Sequence, residues 1–364
     1  MRFTRIASAM TLVAASVGAA QAGGFSRGTA DTDILYEDGN FNLRAGAIIV
    51  VPTQKFKTAP SLAPNPALVG TDYLDTYVIP SAAAKFKISD NLSCAGTHTQ
   101  VYGASSSYAA FYGPTGKVSE EFTVSEFGAT CAVFFNVGKG RLAVLGGAFV
   151  EQFDYDFVGG FGTANIDLGS NAVGWRAGLA YEIPEIAFRT ELMYRSGTSH
   201  DASGTYNMAP IATGSGELPQ SLELKLQTGI APGWLAFGSV RWTDWSVNET
   251  LQVYLGGAPL PPNEYYWRDG WTVTGGIGHA FTENVSGLVS LQWDRGVATG
   301  YDFRTDKWLL AAGLSMKDQL GGELRLGGAV SFLSSAEITK GLETGASVGS
   351  GWAGILSANY KVKW

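Results

Sequence analysis

The sequence is poor in charge, holds little histidine or cysteine, and offers no long apolar run after its N-terminus. Charged residues make up 16% of the chain, against roughly 25% in an average soluble domain. His98, His200 and His279 are scattered and form no HExxH or histidine-rich cluster, so no metal site is expected. No Walker A motif occurs, and the pairs Gly159-Gly160 and Gly321-Gly322 read as turn glycines rather than phosphate cradles. No cofactor and no enzyme activity are expected. Formal net charge is −7, two units more negative once Arg2 and Arg5 leave with a signal segment. That balance removes the electrostatic case for nucleic acid as a partner. No stretch carries the ~18 uninterrupted apolar residues of a membrane helix.

What is present is glycine, 48 residues, and aromatic side chains, 12% of the chain, arranged in short alternating runs. Residues 217–247 show the pattern best. Leu222, Leu224 and Leu226 alternate with Glu223, Lys225 and Gln227, a period of two with one apolar and one polar face. Ala231-Pro232-Gly233 supplies a turn, and a second extended run follows from Trp234. Trp234, Trp242 and Trp245 fall near strand ends, where a membrane barrel places its aromatic girdle. The same alternation sets Val173, Trp175 and Leu179 against Arg176. It also sets Trp352, Leu356, Tyr360 and Trp364 against Ser357, Asn359, Lys361 and Lys363.

The N-terminus reads as a secretory signal. Arg2 and Arg5 form a basic start, Ile6 to Ala20 is small and apolar, and Ala20-Gln21-Ala22 fits a small-x-small cleavage site. Residues 1–22 are therefore expected to be removed, and an uncleaved anchor is the alternative. Residues 23–40 are read as a short plug segment and 41–364 as the barrel. Strands are expected near 41–52, 75–89, 92–103, 122–136, 141–156, 172–183, 186–196, 218–230, 233–247, 268–282, 284–298, 303–316, 322–335 and 351–364. Short turns alternate with loops near 104–121, 157–171, 197–217, 248–267 and 336–350. Short turns at one end and long loops at the other are the signature of an antiparallel transmembrane β-barrel, closed so that no edge meets lipid. Export permits a Cys94–Cys131 bridge across two strands, and two buried thiols are the alternative. His200-Asp201, in a loop expected outside, is the candidate pair for a hydrolase.

Leu218-Pro219-Gln220-Ser221, the strand after it, and the run from Trp234 to Trp245-Ser246 resemble the FadL, or toluene-X, family of outer-membrane transporters. The start, Gly23-Gly24-Phe25-Ser26-Arg27 followed by Ile34-Leu35-Tyr36-Glu37-Asp38-Gly39, is similar to a mature N-terminus in that family. The resemblance implies an all-β barrel of fourteen strands, plugged by an N-terminal hatch. It implies passive uptake of hydrophobic compounds, most of all long-chain fatty acids, with lateral release through a kinked third strand. Cys94 and Gly96 are assigned to that lateral opening. Gly23, Gly24, Phe25, Arg27 and Arg44 are assigned to substrate binding. Asn65-Pro66-Ala67 follows the first strand in a proline-rich loop and is not read as the hatch motif. External residues Leu255, Leu260, Tyr265, Tyr266 and Trp267 are candidates for capturing substrate. Expected partners are a hydrophobic small molecule, lipopolysaccharide and outer-membrane lipid, and the barrel-assembly machinery, which would read the C-terminal strand ending in Trp364. A monomer in the bacterial outer membrane is expected. A general diffusion porin for polar solutes is the alternative function, with a hydrolase behind it.

Overall fold

The computed structural model describes residues 23–319 and 321–364; the signal reading of 1–22 lies outside them. The strands, in chain order, are β1 (Phe41–Thr53), β2 (Tyr77–Ser89), β3 (Leu92–Tyr112), β4 (Lys117–Val137), β5 (Gly140–Gly159) and β6 (Ala164–Ile183). Three strands come in two pieces each: β7 (Phe188–Arg195, Thr198–Tyr206), β8 (Ala209–Leu218, Ser221–Ala231) and β9 (Trp234–Thr243, Thr250–Leu255). Then follow β10 (Gly270–Ala280), β11 (Val285–Asp294), β12 (Lys307–Lys317), β13 (Glu323–Leu333) and β14 (Gly351–Lys363). Every strand is antiparallel to its neighbours, and β1 pairs with β14 from Asn42↔Lys363 to Thr53↔Trp352. The fourteen strands therefore form a closed barrel.

Alternation sorts the side chains between the two faces. Val173 is 74% exposed on the outside of β6, while its near neighbour Arg176 is 5% exposed on the inside. At one height the register sets Trp242 beside Trp271, Trp293 beside Trp308, and Phe332 beside Trp352. This forms an aromatic belt on the outer face. Trp245 does not join it. The chain turns inward after Thr243 into a 3-10 turn (Trp245–Val247), and Trp245 is 0% exposed.

Tight turns join β2–β3, β4–β5, β6–β7, β8–β9, β10–β11 and β12–β13 at one end. At the other end, three segments expected as loops are strand. The β3–β4, β5–β6 and β7–β8 hairpins run on to Tyr112, Gly159 and Tyr206. Their Ser-, Gly- and Thr-rich ends carry no alternation, and cross-strand backbone pairing holds them extended. Asn65-Pro66-Ala67 opens a short 3-10 turn (Pro66–Leu68) in the loop between β1 and β2.

Cys94 and Cys131 are disulfide-bonded, directly opposite each other in the β3–β4 ladder. β3 is not interrupted there. It pairs with β2 from Leu92 to Thr99 and with β4 across the same residues. Gly96 itself is in register on both sides, opposite Ala84 of β2 and Ala129 of β4. The expected opening at Cys94–Gly96 is absent from that position.

Candidate functional site

The break in the wall lies higher on β3. The β2–β3 ladder stops at Ser81↔Thr99, and an isolated bridge reappears at Leu74↔Ser106. Pro80 has no N–H to donate, and β3 shifts register against β4 between Gln100 and Tyr102. The backbone groups β2 leaves unpaired are taken by the N-terminal segment. Arg27 N–H donates to Val101 O at 2.8 Å, Gly28 N–H donates to Gln100 O at 2.9 Å, and Gly103 N–H donates to Phe25 O at 2.9 Å. Residues 25–28 thus run as a short extra strand across the gap.

Residues 23–40 lie against the inner face of the barrel, and two layers of contacts hold them. The lower layer is ionic and surrounds the 3-10 turn Thr32–Tyr36. Arg44 is ion-paired with Asp31 and Glu37. Arg189 and Lys225 meet Asp33 at 2.9 and 3.4 Å. Burial alone would raise the Asp33 carboxyl, but Lys225 and Arg189 outweigh it and hold it far below the usual carboxylate range. Tyr36 donates to Glu191 Oε2 at 2.6 Å. The upper layer is aromatic. Phe25 sits among Phe122, Trp245, Tyr265 and Trp267, with ring centroids between 4.6 and 6.0 Å away. Gly24 makes this possible: its φ is +64°, and an added Cβ would lie 2.5 Å from the Trp245 ring. Trp267 donates to Asp302 at 2.6 Å. Burial raises that carboxyl to about 6 against the pull of Arg304.

Above Phe25 is a cavity of about 220 Å³, walled by aromatic rings that include Tyr73, Tyr108, Tyr112, Phe122, Phe153 and Tyr155. A second chamber of about 80 Å³ adjoins it beside the wall break. The two share Tyr73, Leu74, Ala104, Ser105, Phe303 and Arg304. A further cavity of about 170 Å³ lies below, lined by Asp31, Asp33 and Arg44 and also by Ile48, Ile79, Leu226 and Phe237.

The residues assigned from sequence therefore separate. Gly24, Phe25 and Arg27 meet at the wall break, and Gly23 lies beside Arg295 and Val297. Arg44 belongs to the ionic layer. Cys94 and Gly96 belong to an intact part of the wall. Tyr265 and Trp267 turn inward onto Phe25, whereas Tyr266 stays exposed. The sequence reading missed Trp245 as a cage wall, Arg304, and the Gln100–Gly103 stretch. The inward-facing arginines of β6, β7 and β13 pair with carboxylates of the wall: Arg176 with Glu126 of β4, Arg195 with Glu126 and with Glu151 of β5, Arg325 with Glu323.

His200 makes no hydrolytic set with Asp201. Its Nδ1 lies 2.9 Å from Ser170 Oγ and its Nε2 3.4 Å from Glu151, which Arg195 and Thr198 already occupy. Gly24-Phe25-Ser26-Arg27-Gly28 spells GxSxG, but Ser26 sits in an isolated antiparallel bridge to Tyr102 rather than on a strand-to-helix elbow.

This arrangement defines a class: a closed fourteen-strand barrel whose own N-terminus occupies the lumen and mends a break in the wall. Solved structures share the barrel fold along nearly the whole chain. A FadL homologue from Pseudomonas aeruginosa superposes with a TM-score of 0.77 at 12% identity, covering 98% of both chains. The Pseudomonas putida toluene transporter TodX gives 0.64 at 12% identity, covering 97% of this chain and 98% of that one. The Ralstonia pickettii toluene transporter TbuX gives 0.60 at 13% identity, covering 95% and 96%. No family model matches the chain, and no curated protein sequence matches it. The fold is that of the FadL and TodX structures.

Proposed function

We propose that this protein is an outer-membrane channel of the FadL type. It admits hydrophobic or amphiphilic small molecules passively, long-chain fatty acids foremost, and releases them sideways through the barrel wall. The carrying observation is the gap between β2 and β3, closed by residues 25–28 instead of by β2. It lies next to an aromatic cavity that opens away from the tight-turn end. The lateral opening is assigned to Tyr77–Pro80 and Gln100–Gly103 in place of Cys94 and Gly96. Residues 23–40 act as the plug, with Phe25 at its tip. Selectivity comes mainly from burial of apolar surface, on the order of 0.8 kcal/mol per CH₂. The outer face, banded by tryptophans, meets outer-membrane lipid and lipopolysaccharide. Export through a cleaved signal, assembly through the C-terminal strand and a monomeric state complete the reading.

A second reading, uptake of monoaromatic hydrocarbons, draws support from the aromatic rings lining the outer cavity. A general porin is disfavoured, because residues 23–37 lie within the lumen and are ion-paired to the wall on several sides. The test is reconstitution into liposomes. The protein should speed fatty acid uptake while conducting ions poorly, and deleting residues 23–30 should alter uptake without unfolding the barrel. A large steady ionic conductance with no hydrophobic uptake would establish the porin instead.

A further inference from the structure

The seam of the barrel, where β1 meets β14, carries an electrostatic conflict on its inner face. Arg44 of β1 and Lys361 of β14 stand directly opposite each other in the register, and like charges directly opposite weaken a strand pair. Lys85 of β2, opposite Asn42, adds a third cation beside them. A similar conflict at β6–β7, Arg176 opposite Arg195, is resolved by the wall itself, because Glu126 of β4 ion-pairs with both. At the seam the wall answers only in part. Glu323 of β13 lies 2.9 Å from Lys361 but is shared with Arg325. Both ion-pair partners of Arg44 among the described residues, Asp31 and Glu37, come from the N-terminal segment.

Glu37 supplies the bridge. Its Oε1 pairs with Arg44 and lies 3.4 Å from Lys361. Its Oε2 accepts from Asn42 Nδ2 at 3.2 Å, its backbone oxygen accepts from Lys85, and Asn42 Nδ2 also donates to Asp38 O at 2.9 Å. Further along, Asn40 N–H donates to Trp364 O at 3.0 Å, and Lys87 N–H donates to Asn40 O at 2.8 Å. Residues 37–40 therefore tie β14, β1 and β2 together from inside. Arg44 is 4% exposed. Without Asp31 and Glu37, zipping β1 onto β14 buries an unpaired guanidinium against a lysine, and an uncompensated buried charge is strongly destabilising.

We infer that residues 31–38 are a seam lock: β1 zips onto β14 only as this segment docks. Plugging and closure are then one event, and a closed barrel with an empty lumen is disfavoured. The lock acts in assembly rather than on substrate, so its failure leaves the uptake reading standing.

The experiment refolds residues 23–364 from urea into lipid vesicles without reductant and follows closure over time by heat-modifiable gel mobility. Glu37→Gln should slow closure roughly tenfold, a fraction of the cost of breaking a buried ion pair. Adding Lys361→Gln removes one of the opposed cations and should restore most of the rate. Phe25→Ala, at the other end of the segment, should close like wild type. Closure of Glu37→Gln at the wild-type rate overturns the lock. So does a slow Glu37→Gln that Lys361→Gln does not restore, since Glu37 would then not act by offsetting that pair. Equal slowing by Phe25→Ala assigns the effect to docking of the whole segment and overturns the part given to the seam. If Glu37→Gln does not close at all, recovery or its absence in the double variant still decides.

Discussion

The two ends of the N-terminal segment are held by different physics. At its base, Asp31, Asp33 and Glu37 are clamped by Arg44, Arg189, Lys225 and Lys361, all reaching in from the barrel wall. At its tip, residues 24–28 are held by backbone hydrogen bonds to β3 and by ring packing around Phe25, and the one cation there, Arg27, forms no ion pair with a described residue. A buried ion pair is expensive to break, because the partner left behind is an unpaired charge. A backbone bond at a strand edge, or a ring in an aromatic cage, can be exchanged for a similar contact with a ligand at much lower cost. The segment is therefore fixed at one end and exchangeable at the other, as the proposed plug would require.

Four perturbations test this contrast. The largest effect should come from Asp33→Asn, which takes from Arg189 its ion-pair partner and leaves Lys225 with Glu191. Docking of the base should weaken by about 4 kcal/mol, read as faster hydrogen exchange across 31–37; unchanged exchange would show that the ion pairs do not hold the segment. Phe25→Ala should cost the tip about 3 kcal/mol of packing, with red-shifted emission from Trp245 and Trp267 and no change in exchange at the base. Coupled loosening of both ends would erase the distinction. Gly28→Ala places a Cβ 2.6 Å from Thr99 Oγ1 and 2.8 Å from Gln100 O. It should weaken the stitch across the wall by about 2 kcal/mol, seen as faster exchange at Arg27 and Gly28 alone.

The smallest effect should come from mild acid. Because Asp33 is held below its ordinary pKa, its contribution is fully present above about 3.9 and disappears only as pH falls through the lowered value. Exchange across 31–37, corrected for intrinsic rate, should therefore match at pH 7 and pH 4.5. Marked loosening at pH 4.5 would mean that a different group anchors the base.

Alternation was legible wherever one face meets lipid. Val173, Trp175 and Leu179 could be placed outside, and Arg176 inside, because the side-chain period of a strand is two and the two solvents differ sharply. Where both faces of a strand are small and polar, as in Ser105-Ser106-Ser107, no such signal exists, and the extensions of β3 and β4 read as loop from sequence. Trp245 was misplaced for a related reason. A tryptophan near a strand end reads as girdle, and only the inward turn after Thr243 shows that it walls the cage around Phe25.

The wall break shows the same limit more sharply. Gly96 was a reasonable place to expect a bend, since glycine weakens a strand, but its neighbours pair normally on both sides. The opening depends instead on Pro80 lacking a donor, on a register shift near Val101, and on Phe25, Arg27 and Gly28 arriving from more than 70 residues away in sequence. The sequence by itself determined the barrel, its strand number and which face meets lipid, since these follow from local periodicity and turn chemistry. Tertiary structure alone decided where the β2–β3 ladder breaks, which cations pair with carboxylates and which tryptophans are buried. Those depend on which distant backbone and charged groups meet, and no local pattern records a partner's position.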